Sequence, residues 1–194
     1  VRLENETLSI GERILAQGLQ LTVRGQDKIG IIGPNGVGKS TLLAKLHQLL
    51  SGKREISLGF MPQDYQETLQ LDLSPVEFLS QTGHKEEIQK IQSHLASLNF
   101  SYPEMHHQIH SLSGGQQGKL LLLNLVLRKP NFLLLDEPTR NFSPTSQPEI
   151  RKLFANYSGG LVTVSHDRRF LKEVCTSIYS LTEHGLEVVD LQDL

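Results

Sequence analysis

Gly33-Pro34-Asn35-Gly36-Val37-Gly38-Lys39-Ser40 puts three glycines, a lysine and a hydroxyl in an order that lets a loop wrap an anion. Glycine backbones allow successive N–H groups to turn inward, and the start of a following helix adds its dipole. Lys39 supplies a point charge suited to β- and γ-phosphates, and the Ser40 hydroxyl suits Mg²⁺. The chemistry implied is the holding of a nucleoside triphosphate. A second element, Phe132-Leu133-Leu134-Leu135-Asp136-Glu137-Pro138, ends an apolar run on two acids. Asp136 is expected near Ser40 and the metal, and Glu137 is the candidate to polarise an attacking water. His166, in Ser165-His166-Asp167, is the candidate to orient that water. Gln63, in Met61-Pro62-Gln63, could reach both metal and water. Phosphoryl transfer needs just such positioning and charge stabilisation, with little covalent work.

A further element, Leu112-Ser113-Gly114-Gly115-Gln116, is not required by phosphate binding at the first loop. A glycine pair before an apolar helix is itself an anion-binding helix start.

These residues need strands and helices to place them. Leu19, Leu21 and Val23 alternate with polar neighbours and read as a half-buried strand, closed by a turn at Arg24-Gly25. Lys28 to Ile32 reads as a buried strand feeding the first loop. Lys39 to Leu50 carries Leu42, Leu43, Leu46, Leu49 and Leu50 at helical spacing, stopped by Ser51-Gly52. Ile56, Leu58 and Phe60 alternate as a strand. Ser74-Pro75 starts a helix, His84 to Leu98 is a polar helix with a thin apolar stripe, and Gly115 to Arg128 is an apolar one. Asn131 to Leu135 is the continuous apolar run of a parallel strand covered on both faces. Ile150 to Tyr157 reads as a helix and Leu161 to Ser165 as a strand. Ser177 to Thr182 and Leu186 to Leu191 form a hairpin turning at His184-Gly185. The pattern is an α/β domain with a parallel core sheet and a helical insertion between Gln63 and Leu112. Parallel sheets bind ligands at the carboxyl ends of strands, where Asp136 and His166 fall.

The 194 residues, 38% hydrophobic, suffice for one domain with a core and a small subdomain. A net charge of -2 and a pI near 6.5 offer no electrostatic case for direct nucleic-acid binding, DNA included. The single cysteine, Cys175, excludes an intramolecular disulfide and fits a reducing cytosol. No apolar run approaches the ~18 residues of a membrane span, and Val1 to Glu6 does not read as a signal peptide. The chain opens on Val1 rather than Met, so it is read as a piece of something longer. His106, His107 and His110 invite a metal reading but lack an obvious partner beyond Glu104. Lys152, Arg168, Arg169 and Lys172 read as a solvated basic face.

In order, Gly33 to Ser40, Gln63, Leu112 to Gln116, Phe132 to Glu137 and His166 resemble the Walker A, Q-loop, signature, Walker B and switch-histidine elements of ATP-binding-cassette (ABC) ATPases. The resemblance spans essentially the whole chain, 1–194. It implies a P-loop NTPase fold of ABC type: a parallel core sheet, an N-terminal antiparallel β part and a helical subdomain at about 64–128. It implies ATP and Mg²⁺ as cofactors. The nucleotide would be held by Gly33, Pro34, Asn35, Gly36, Val37, Gly38, Lys39, Ser40 and Thr41, and the Mg²⁺ by Ser40, Gln63 and Asp136. Glu137, His166 and Gln63 would be catalytic. Ser113, Gly114, Gly115 and Gln116 would act on the ATP of a second cassette closed head to tail.

Within that family the chain is most similar to the second cassette of ABC-F proteins of the Gram-positive resistance type. Ser165 to Leu171 resembles their switch segment, Asp136 to Pro144 their post-Walker B stretch, and the insertion has no room for a long helical arm. This implies a cytoplasmic tandem-cassette protein with a possible ribosomal partner. Two departures stand out. Ser143 occupies the position where the D-loop usually has an aspartate, which implies slow hydrolysis at one site. Ile10 stands where many cassettes stack an aromatic on adenine, leaving GTP use open. Two alternatives remain: a nucleotide-binding subunit of a membrane transporter, and an ATP-gated interaction module with weak hydrolysis.

Overall fold

The computed structural model describes residues 2–194, apart from the side chain of residue 193. Its strands are β1 (Arg2–Ile10), β2 (Arg13–Thr22), β3 (Lys28–Ile32), β4 (Leu58–Met61), β5 (Phe132–Asp136), β6 (Gly160–Val164), β7 (Ser177–Thr182) and β8 (Gly185–Val189). Its helices are α1 (Lys39–Leu50), α2 (Pro75–Leu79), α3 (Lys85–Ser97), α4 (Tyr102–His106), α5 (Gly114–Arg128), α6 (Gln147–Ala155) and α7 (Arg168–Val174). Two compact units result: the chain up to Gln63 together with Pro130–Leu194, and Asp64–Lys129.

In the α/β unit, β1 and β2 form an antiparallel pair. The main sheet runs β4-β5-β6-β3-β7-β8, parallel except for β8, which returns antiparallel on β7. Strand residues alternate between faces, and the face bearing Ile29, Ile31, Leu134 and Val164 is filled by Leu42, Leu43, Leu46 and Leu50 of α1 and by Leu8, Leu19 and Leu21 of β1–β2. The opposite face is closed by α7. A Cβ on Gly30 would lie 2.6 Å from Ile178 Cδ1 and 2.7 Å from Leu171 Cδ2, so only glycine lets the helix approach this strand. Phe154 of α6 meets Phe170 of α7 edge-on, with ring centroids 5.9 Å apart. Cys175 is a buried free thiol, its pKa pushed up to about 12 by desolvation.

The second unit is helical. Ser74 and Glu77 form a reciprocal capping box on α2, with Pro75 in its first turn. Of the α3 stripe, Ile91 and Leu95 are buried. His106 packs on Tyr102 and its Nε2 lies 3.2 Å from Gln92 Nε2. No group of three His, Cys, Asp or Glu able to hold a metal occurs among the described residues.

Several boundaries differ from the sequence reading. β4 starts at Leu58, because Ile56 sits in a turn closed on Lys53 O and Ser57 N–H is taken by the Asn131 side chain. α6 starts at Gln147, three residues early, with Pro148 in its first turn. β8 ends at Val189, where Asp190 accepts from Gln192 N–H and starts a short 3₁₀ turn. Gly185 belongs to β8 and pairs with Thr182, so the hairpin turns at Glu183-His184. No helix among the described residues is long and apolar enough to cross a membrane.

Candidate functional site

β3 runs out at Ile32 and the chain swings through Gly33 at φ +145°. A Cβ there would stand 2.8 Å from the Leu181 carbonyl of β7, so the glycine is demanded by the neighbouring strand as well as by the loop. Gly38, at φ +108°, starts α1 where a Cβ would strike Leu15 and Leu8. Between them the loop curls around the Lys39 side chain, whose ammonium donates to Gly33 O at 2.8 Å and Pro34 O at 2.9 Å. Lys39 is only 8% exposed. Burial lowers its pKa, against the opposing pull of Glu137 and Asp136.

β5 delivers the acids. Asp136, its last residue, is 5% exposed and accepts a hydrogen bond from the Ser40 hydroxyl in the first turn of α1. Desolvation raises its pKa, opposed by that bond and by the charges of Lys39 and Arg140. Glu137 follows at φ +50°, a left-handed conformation that non-glycine residues rarely adopt. Its N–H donates to Val164 O on β6, and its Oε2 accepts from His166 N–H at 3.2 Å. His166 Nε2 stands 3.6 Å from Glu137 Oε1. Burial raises the Glu137 pKa, opposed first by the His166 amide. Backbone strain at a carboxylate in a cleft is a recurrent mark of functional sites, and a raised carboxyl pKa suits a proton acceptor.

The acid pair, His166, Lys39 and much of the loop line one crevice of about 830 Å³ in the α/β unit. From the loop it includes Asn35, Gly36, Gly38, Lys39, Ser40 and Thr41, and from elsewhere Gln63, Asp136, Glu137, His166 and Ile10. Gly33 and Pro34 serve the crevice through the carbonyls that hold Lys39, while Val37 packs against the core. Thr139, Arg140, Gln147, Val164 and Asp167 also line it, and the sequence reading gave none of them a role. Thr139 and Arg140 stand just past the acid pair, the one local hint available. Gln147 carries no local signal; its amide donates to the carbonyls of Thr139 and Phe142 and fixes the intervening turn. Ser143 within that turn bonds the hydroxyls of Thr145 and Ser146, both at 2.9 Å.

The donor chemistry fits a triphosphate with a divalent cation. Ser40 Oγ, the Asp136 carboxylate and the Gln63 side chain are hard oxygen donors. A Mg²⁺ held by one carboxylate and substrate phosphates needs no all-protein cage. Ser113, Gly114, Gly115 and Gln116 lie in the helical unit. Ser113 caps α5 in a capping box with Gln116, which in turn donates to Glu104 Oε1 at 2.8 Å.

Residues 16–140 match the model of the ABC transporter family. The chain is 31% identical over 197 residues to the probable ATP-binding protein YheS of Escherichia coli K12, covering 98% of this chain and 31% of that one. It is 30% identical over 193 residues to the ribosome protection protein VmlR of Bacillus subtilis, covering 96% and 35%, and 27% identical over 194 residues to ABC transporter F family member 2 of Arabidopsis thaliana, covering 96% and 29%. It thus spans about a third of the length of these relatives. A dimeric structure of the ATP-binding cassette MJ0796 bound to ADP and Pi superposes with a TM-score of 0.79 at 20% identity, over 98% of both chains, and shows the shared fold. With the loop, the acid pair and the histidine gathered in one crevice, the chain belongs to the ABC transporter family, as an ATP-binding-cassette ATPase domain.

Proposed function

We propose that this chain is one cassette of a tandem ABC-F protein that binds ATP and Mg²⁺ in the crevice, closes on a second cassette and hydrolyses the nucleotide. The observation that carries the catalytic part is Glu137, strained, half-buried and hydrogen-bonded to the His166 amide in the crevice that also holds Lys39. In this reading the loop of Gly33 to Thr41 and Lys39 bind the phosphates, and Ser40, Asp136 and Gln63 hold the cation. The cation, when bound, neutralises charge on the phosphate oxygens. Glu137 accepts a hydrogen bond from the attacking water and draws its proton, and His166 orients the pair. Ser113, Gly114, Gly115 and Gln116 serve the nucleotide of the second cassette.

The similarity to VmlR and to an ABC-F member supports a cytoplasmic, ribosome-associated output. The test is co-sedimentation of the tandem protein carrying Glu137→Gln with purified ribosomes. Hydrolysis slowed by about 10²–10⁴-fold, the usual range for a lost base, leaves ATP bound, and ribosome binding that requires ATP is expected. Absence of binding, with the protein recovered in membrane fractions, would put the transporter-subunit reading in its place.

A further inference from the structure

Three carboxylates (Asp136, Glu137, Asp167) and two fixed cations (Lys39, Arg140) line the crevice. Their commitments differ. Asp167 caps α7, accepting from the amides of Arg169 and Phe170. Glu137 accepts from His166 N–H, and Asp136 from Ser40. Lys39 is turned back onto the carbonyls of Gly33 and Pro34. The Arg140 guanidinium alone among the charged groups has no hydrogen bond or ion pair among the described residues, although it is exposed at the crevice wall.

Its backbone, by contrast, is held on both sides. Arg140 N–H donates to Glu137 O at 3.1 Å, closing a turn. Thr139 and Phe142, which flank it, are buried, and the Gln147 amide bonds both their carbonyls. A held backbone that presents five uncommitted donors suits an anion, because guanidinium matches phosphate oxygens two at a time. It also stands on the correct side. The turn ties it to Glu137, and the phosphate nearest the water-polarising carboxylate is the one under attack, the terminal one. Its charge reaches far enough into the crevice to pull the Asp136 carboxyl downward.

We propose that Arg140 reads the terminal phosphate of the nucleotide held by its own chain, so that the crevice distinguishes triphosphate from diphosphate. This rests on the nucleotide-binding reading above. Without Arg140, a ligand carrying several negative charges meets three carboxylates balanced only by Lys39. With it, the terminal phosphate gains a partner that a diphosphate cannot reach.

The test is equilibrium binding, with Mg²⁺, of a non-hydrolysable ATP analogue and of ADP to the 194-residue chain. It is run at concentrations where light scattering shows a monomer. Arg140→Ala should weaken the analogue by about 10- to 100-fold, the range for a charged hydrogen bond, and move ADP by less than about twofold. Arg140→Lys should fall between, since it keeps the charge and loses the fork. Equal losses for both nucleotides, or none for the analogue, would overturn the assignment. So would a loss seen only at concentrations where the chain dimerises, which would mean the guanidinium serves a second copy. A wild-type chain that binds neither nucleotide would instead sink the nucleotide reading itself. Arg140 is exposed, so thermal melts of the variants should overlay wild type, and affinity changes then report the site rather than the fold.

Discussion

Asp136 and Glu137 are held in an environment that opposes their own charge. Burial is the largest influence on each, and it raises both pKa values above their ordinary 3.8 and 4.5. Between the ordinary and the raised value the folded chain therefore binds more protons than the unfolded one, and stability falls as pH rises through that window. Above the window the penalty is present in full. Asp136→Asn is accordingly expected to melt at a higher temperature than wild type at pH 7, with the gap closing as the pH is lowered to about 4, near the unfolded-state value. Thermal melts from pH 4 to 8 check this, and a gap independent of pH would remove burial as its cause. Gly33 is constrained from another direction. Gly33→Ala would press a methyl carbon against the Leu181 carbonyl, which as backbone in β7 cannot swing aside. A loss of about 1–3 kcal/mol is expected, the range for overpacking, and urea unfolding of the variant measures it. A variant as stable as wild type would show that the loop tolerates displacement from β7.

At the scale of elements, what was legible followed from how local each signal is. β3, α1, β7 and the capped start of α2 stand where their periodicity and caps put them, because each carries its own pattern. β1 was not resolved from the residues. Asn5 at φ +52° and register shifts between Leu3, Glu6, Leu8 and Ser9 break the two-residue alternation that marks a strand. The lining of the crevice was legible where motif and strand end coincide, as at Asp136 and His166. It was not where a side chain such as Gln147 reaches the crevice only through a tertiary turn. Lys28 shows the same limit. Its pattern said only buried strand, yet its ammonium caps the end of α6, donating to Phe154 O at 3.0 Å and to Ala155 O. Lys28→Met would leave those carbonyls unpaired, and a loss of about 1–3 kcal/mol is expected from urea midpoints. No change would mean that water replaces the ammonium. In the helical unit, Glu104 joins two caps. It accepts from Ser101 N–H at 2.7 Å, and from Gln116, whose Oε1 accepts from Ser113 N–H at 3.0 Å. Glu104→Ala should speed amide exchange at Ser101 directly and at Ser113 through Gln116, whereas acceleration at Ser101 alone would uncouple the two caps.

At the scale of the whole molecule, the crevice takes its lining from the α/β unit and Ser113 starts a helix of the other. If a site is completed by the signature of a second cassette, then no chain acts alone, and turnover per chain should rise with concentration until pairs form. In a tandem protein the tether supplies that concentration. Mixing variants separates this from simple self-association. A Glu137→Gln chain lacks the base in its own crevice but keeps a sound signature. A Ser113→Arg chain blocks the crevice of its partner but keeps its own base. Either variant alone should be nearly inactive, because every pair then holds two damaged sites. In an equal mixture, random head-to-tail pairing makes about half the pairs mixed. Each mixed pair joins the sound Glu137 of one chain to the sound Ser113 of the other and so restores one site of two. The mixture should therefore recover about a quarter of wild-type turnover at the same total concentration. Recovery of that order can arise only if base and signature come from different chains. A mixture no more active than its components, with pairing verified by light scattering, would leave each crevice to work with its own chain's residues.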